Sequence, residues 1–143
     1  MRIVTKVIVL TVLSLMPFLA AQASRVEPLV NVENQLVARA DGKPLSAEQV
    51  KSGIIAGSVR QRIWTLTPVK PGQITAMLNV RDKHTAVVDI TYTAKTFSIK
   101  YRDSNNLLYE KDDNGVEQIH RNYNRWVQGL RQNITQEILA IHN

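Results

Sequence analysis

The chain has 143 residues, of which 44% are hydrophobic and 21% charged, with 18 lysines and arginines against 12 acids. That mixture suits one domain with its own core and excludes an intrinsically disordered chain. The absence of cysteine excludes disulfides, thiolate zinc and iron–sulfur sites, a cysteine nucleophile and a lipid-modified N-terminal cysteine.

Residues 1–23 read as a cleavable signal peptide. Arg2 and Lys6 supply the positive start, Val7 to Leu19 the apolar run, and Ala21-Gln22-Ala23 the small-x-small pattern that precedes Ser24. A membrane anchor is the competing reading, but a run of about thirteen residues is short of the ~20 that span a bilayer. No later segment is apolar enough to span one. The expectation is therefore a periplasmic protein cut after Ala23. Cleavage removes two cations and no acid, which lowers the net charge from +6 to +4. A mildly basic exported chain is expected to meet an envelope protein or an anionic surface such as lipid headgroups, acidic polysaccharide or cell-wall polymer. Export counts against nucleic acid as a partner.

Residues 24–44 form a lead-in without helical period, closed by the turn formers Asp41-Gly42 and Pro44. Val30, Val32 and Leu36 alternate with polar residues, so the segment is either a short strand on a sheet edge or a spacer. The domain proper is expected over 45–143.

Ser46-Ala47-Glu48-Gln49 fits a capping box that starts a helix. Val50, Ile54, Ile55, Val59 and Ile63 give it an apolar stripe over about four turns. Gly53 and Gly57 weaken such a helix by about 1 kcal/mol each relative to alanine, so another element is expected to approach closely there. From Trp64 the period becomes two. Strands are expected over Trp64–Val69, Gln73–Val80, Thr85–Tyr92 and Phe97–Arg102, the first an edge strand because it contains Pro68. Pro71-Gly72 turns the chain between the first two.

Register follows from the loops. A three-residue loop at Asp82-Lys83-His84 sets Leu78 opposite Val88. A two-residue loop at Ala94-Lys95 sets Ile90 opposite Ile99 and Asp89 opposite Lys100, an expected exposed ion pair. A long polar loop follows Arg102. From about Glu117 a second helix carries Ile119, Tyr123, Trp126, Val127, Leu130, Ile134, Ile138 and Ile141 at spacings of three and four. Arg121, Arg125, Gln128 and Gln132 fall on its solvated side.

The predicted fold class is α+β: a four-stranded antiparallel meander with an N-terminal and a C-terminal helix packed on one face, a two-layer sandwich. The other sheet face is expected bare, showing Thr75, Met77, Asn79, Val87, Asp89, Thr91, Ser98, Lys100 and Arg102.

The stretch Tyr101-Arg-Asp103-Ser104-Asn-Asn106-Leu107-Leu-Tyr109, followed by Ile119-His120-Arg-Asn122-Tyr123-Asn124-Arg-Trp126-Val127, resembles small exported proteins and lipoproteins of proteobacteria that have no assigned function. The similarity runs from about Leu45 to Ile138. It implies a bacterial envelope protein with a helix-sheet-helix order, and no activity. Many members carry a lipobox cysteine; this chain has none, so a soluble form is expected rather than a lipoprotein.

Tyr101, Asp103, Ser104, Asn106, Tyr109, His120, Tyr123, Asn124 and Trp126 concentrate polar and aromatic chemistry where the last strand meets the second helix. They are the candidate ligand- or partner-binding residues. The plainer reading makes Tyr123 and Trp126 core residues and gives Asp103, Ser104 and Asn106 to the turn backbone. Asp103, Ser104 and His120 are the residue types of a nucleophilic triad, which would make a small hydrolase or sugar-active enzyme, but no Gly-x-Ser-x-Gly elbow supports it. No catalytic residue is assigned. His84, His120 and His142 have no metal-ligand spacing, and Asp112-Asp113-Asn114-Gly115 lacks the alternation of a calcium loop, so no metal or cofactor is expected. Arg121, Arg125 and Arg131 are candidates for contact with an anionic polymer. The leading expectation is a non-enzymatic interaction domain of the envelope.

Overall fold

The structure is a computed structural model that describes residues 25–143; the expected signal peptide and its cut after Ala23 lie outside the described residues. In chain order the elements are β1 (Val26–Pro28), β2 (Val32–Leu36), α1 (Ala47–Gly57), β3 (Trp64–Lys70), β4 (Gln73–Val80), β5 (His84–Tyr92), β6 (Thr96–Asn105), β7 (Glu110–Lys111), β8 (Glu117–His120) and α2 (Arg121–Leu139). The fold is α+β. The main sheet has five strands rather than the expected four, in the order β2-β6-β5-β4-β3, and a second sheet has the order β1-β8-β7; all pairings are antiparallel.

The extra edge strand comes from the lead-in. Val32 sits opposite Ile99 and Leu36 opposite Thr96, with a bulge between Val32 and Gln35 where Asn34 takes a φ of 49°. Asparagine tolerates that left-handed backbone better than most residues. Its amide donates to Ser98 Oγ at 2.9 Å, which covers Ser98 and removes it from the face expected to be bare. The segment then hooks onto the far end of α2. The Ala40 amide donates to Leu139 O at 2.9 Å, and buried Arg39 donates to both oxygens of Asp41, at 2.9 and 2.6 Å, and to Asn143 Oδ1 at 3.2 Å. The hydrogen bond from Arg39 first, and then that from the Lys43 amide at 3.1 Å, hold the Asp41 carboxyl below its ordinary pKa.

Turn chemistry sets the meander. Pro71-Gly72, with Gly72 at a φ of 83°, joins β3 to β4, and Pro68 lies on the edge strand β3 as its missing donor requires. Ala94-Lys95 joins β5 to β6, with Thr93 Oγ1 accepting from the amides of Lys95 and Thr96 at 3.1 Å. Ile90 therefore faces Ile99 and Asp89 faces Lys100. The ion pair between the last two does not form. Asp89 is taken by Arg102 at 3.1 Å and by the Thr75 hydroxyl at 2.9 Å, while Lys100 leans toward Glu33 at 3.8 Å. The β4–β5 loop lies one residue earlier than expected. Arg81 and Asp82 turn the chain with positive φ, Val80 faces His84, and Leu78 faces Ala86 instead of Val88. That shift of two preserves which face is apolar.

Ser46 caps α1 with the complete box: the Gln49 amide donates to Ser46 Oγ at 3.1 Å and the Ser46 amide donates to Gln49 Oε1 at 3.0 Å. The helix is shorter than its stripe suggested, ending at Gly57, so Val59 and Ile63 lie beyond it and are exposed, as is Ile55. Its small residues meet α2. A Cβ on Gly57 would stand 2.6 Å from Ile134 N and one on Gly53 would collide with the Ile138 side chain. The two backbones pass closer than side chains permit.

The expected long loop after Arg102 is interrupted by strand: β6 continues to Asn105, and β7 and β8 form a hairpin around Asp112, whose Oδ1 accepts from the amides of Asn114 and Val116 at 2.8 and 2.9 Å. Residues 117–120, expected as the first turn of the second helix, are β8. Val50 and Ile54 of α1, Tyr123, Val127, Leu130, Ile134 and Ile138 of α2, and Ile74, Leu78, Val88, Ile90 and Ile99 of the sheet share one buried cluster.

Candidate functional site

The candidate residues divide into three places. Where β6 passes under the start of α2, three tyrosines pack together. The Tyr101 and Tyr109 rings stack at 4.2 Å, and Tyr101 meets Tyr123 edge-on at 5.6 Å. The Tyr101 hydroxyl shares a hydrogen bond with Ser104 Oγ at 2.9 Å, and the Tyr109 hydroxyl donates to Glu117 Oε2 at 2.6 Å. That bond, with burial and the carboxylate charge behind it, pushes the Tyr109 pKa up to about 12. Burial raises Tyr101 and Tyr123 as well. The Tyr123 hydroxyl is fully buried and has no hydrogen-bond partner among the described residues.

The polar members are occupied. Asp103 Oδ1 accepts the Ser104 amide at 2.8 Å, and Asn106 donates to Lys83 O at 3.0 Å. His120 is the N-cap of α2, its Nδ1 accepting the Asn122 amide at 3.1 Å while its own amide donates to Leu107 O at 2.8 Å. Burial lowers its pKa first, and Arg121, His84, Arg25 and Arg125 lower it further. No hydrogen bond links His120 to Asp103 or Ser104, because the Ser104 hydroxyl is taken by Tyr101 and His120 Nδ1 by the helix backbone. Asn124 is a staple. Its Nδ2 donates to Glu27 Oε1 and to Pro28 O at 2.9 and 2.8 Å, and its Oδ1 accepts the Val30 amide at 3.0 Å.

Trp126 lies elsewhere, in a cleft of about 200 Å³ between α2 and the connection from α1 to β3. Ser58 holds the start of that connection by accepting the Trp64 amide at 2.9 Å, and Arg60 pairs with Glu137 of α2 at 3.1 Å. Gln61 and Arg62 form one wall, with the Arg62 guanidinium 5.6 Å above the Trp126 ring. Arg125, Gly129 and Asn133, spaced by four on one stripe of α2, form the other, and Trp64, Trp126 and Leu130 are the floor. No carboxylate lines the cleft. The first turn of α2 holds no acid either, although Arg121 and Arg125 stand at the helix end where the macrodipole disfavours cations. The region is positive, and its charge is unanswered within the described residues.

The sequence puts Arg125 on a solvated helix face and offers it, with Arg121 and Arg131, for contact with an anionic polymer, but does not bring it together with Arg62 or point to Gly129. The available signal was Arg125-x-x-x-Gly129-x-x-x-Asn133, a glycine in a helix interior flanked by polar residues on its own face. Among the described residues no group of three His, Asp or Glu side chains gathers to hold a metal, and no helix is long and apolar enough to cross a membrane. Compared with protein-family models, with curated proteins and with solved structures, the chain matches none.

Proposed function

We propose that the protein is an exported bacterial envelope protein, related to the small proteobacterial proteins its signature resembles, and that it is a non-enzymatic domain for binding an anionic envelope polymer. The observation that carries this reading is the cleft along α2, where Arg62 and Arg125 face a cavity without an acid. Guanidinium groups of this kind bind carboxylate and phosphate through paired hydrogen bonds. The mature charge of +4, which follows from the expected cleavage, favours the same encounter. The proposed contact surface is thus the α2 cleft rather than the tyrosine cluster, whose side chains bond to one another.

The test is retention of the purified protein on immobilised polyuronate, polyphosphate and phosphatidylglycerol vesicles, with neutral dextran as the control. Wild-type protein is expected to be retained by at least one anionic support at low salt and released as salt rises. The Arg62→Ala/Arg125→Ala double variant is expected to pass through. Equal retention of the double variant would overturn the reading. Export is tested separately by the N-terminal sequence of the protein from the periplasmic fraction, which is expected to begin at Ser24.

A further inference from the structure

We propose that the α2 cleft is a sugar-acid site: it takes one acidic sugar ring, with the carboxylate between Arg62 and Arg125 and the hydroxyls against the amides of Gln61 and Asn133. This rests on the cleft being the anionic contact surface and adds the chemistry of the unit that enters it.

Size limits the occupant. The cavity of about 200 Å³ is smaller than the ~300–1,000 Å³ that receives drug-sized ligands. Along α2 it extends from Arg125 to Asn133, two turns or about 12 Å. One ring with a charged substituent fits those dimensions. Charge selects the substituent, since two guanidinium groups and no carboxylate line the walls.

Asn133 selects the rest. It is only 6% exposed and lines the cleft, and its side chain, unlike its helical backbone, makes no hydrogen bond with another described residue. Its amide atoms are not sealed off as the Tyr123 hydroxyl is but open to the cleft, where they offer both donors and an acceptor. Sugar hydroxyls do the same, so ring hydroxyls match Asn133 and Gln61 whichever way each amide is turned. Trp64, Trp126 and Leu130 line the cleft and supply the apolar contact for the ring.

Gly129 keeps that floor open. Alanine is favoured over glycine in a helix interior. A Cβ at 129 would meet only Gln61 Oε1, at an ordinary 3.7 Å. Packing demands glycine at 53 and 57, where α1 touches α2, but not here. What the missing side chain at 129 leaves is ligand space.

The test is a two-dimensional NMR titration of the purified protein with D-glucuronate, alongside D-glucose, inorganic phosphate, acetate and an acetylated peptide with a free C-terminal carboxylate. Glucuronate is expected to shift the side-chain resonances of Asn133, Gln61 and Trp126, with a dissociation constant of about 1 mM for a single ring. The four other probes are expected to bind at least about tenfold more weakly. Arg125→Gln is expected to weaken glucuronate about tenfold or more, the effect of losing one charge-assisted hydrogen bond, and Gly129→Leu as much by filling the space the ring needs. If the leucine variant fails to fold, Gly129→Ala takes its place. Equal binding of glucose, phosphate, acetate or the peptide overturns the sugar-acid assignment, as does no shift with glucuronate or a shift indifferent to the variants. Retention on an anionic support that needs Arg62 and Arg125, with glucuronate silent, removes the sugar acid alone; no retention of the wild type, or retention indifferent to the two arginines, removes the anionic contact as well.

Discussion

Asn124 Oδ1 accepts the Val30 amide at 3.0 Å across 94 positions of chain. The same side chain donates to Glu27 and to the carbonyl of Pro28, so one residue of α2 ties down the chain from Glu27 to Val30. Asn124→Ala removes three hydrogen bonds and is expected to destabilise by about 2–4 kcal/mol. Urea denaturation measures the loss, and hydrogen exchange is expected to show residues 26–32 opening before the rest. Unchanged exchange there would mean that the segment is held by β1 and β2 alone.

Tyr123 makes the opposite prediction. Its buried hydroxyl lacks a partner among the described residues, and an unsatisfied buried polar group costs about 1–3 kcal/mol. Tyr123→Phe keeps the ring against Tyr101 and is expected to be neutral or to stabilise by about 1 kcal/mol. A clear drop in melting temperature would refute the unpartnered state.

Gly57 is where α1 and α2 touch backbone to backbone. The Cβ of Gly57→Ala would lie 2.6 Å from Ile134 N and 2.7 Å from its Cα, neither of which can swing aside. Overpacking of this kind costs about 1–3 kcal/mol or more. The variant's denaturation midpoint is expected to fall accordingly, although alanine is the better helix former.

Acid weakens the start of α2. His120 caps the helix through Nδ1, which must be unprotonated to accept the Asn122 amide, and burial with nearby cations lowers its pKa. A base depressed in the folded state contributes stability present above the unfolded value of 6.5 and lost as pH falls through the folded one. Stability is therefore expected to decline below about pH 6.5 in the wild type. His120→Asn keeps a capping acceptor without this titration and is expected to flatten that part of the curve, whereas His120→Ala loses about 0.5–2 kcal/mol at neutral pH.

Alkali acts at the tyrosines. Tyr109 is raised to about 12 by its bond to Glu117, against 10.0 for an ordinary tyrosine. Stability from that shift is complete below pH 10 and lost as pH rises toward 12. Tyrosinate absorbance is expected to appear late in the wild type, and earlier for one tyrosine in Glu117→Gln.

Local chemistry made the central elements legible. Ser46 and Gln49 announce α1, Pro71-Gly72 and Ala94-Lys95 announce two turns, and the apolar alternation pairs Ile90 with Ile99. The misses have physical causes. Arg81 and Asp82 turn the chain in a left-handed conformation that their side chains do not advertise. β1, β7 and β8 are two to four residues long, too short for periodicity to register, and the pairing of β2 depends on a bulge at Asn34. Residues 117–120 keep an apolar Ile119 in step with the helix that follows, which hides the change from strand to helix at His120. At the site, Tyr101, Tyr109 and Trp126 stood out as aromatic, but the cleft is made by Arg62 and Gly129, whose meaning depends on a connection crossing α2.

α2 joins parts of the described chain that are far apart in sequence: His120 at its start joins the small sheet, Asn124 the entry strand, Ile134 and Ile138 the first helix, and Leu139 the Arg39 hook. Neither the entry strand, the small sheet nor the first helix can detach without exposing some of that helix. Melting is therefore expected as a single all-or-none event, with calorimetric and van't Hoff enthalpies in agreement.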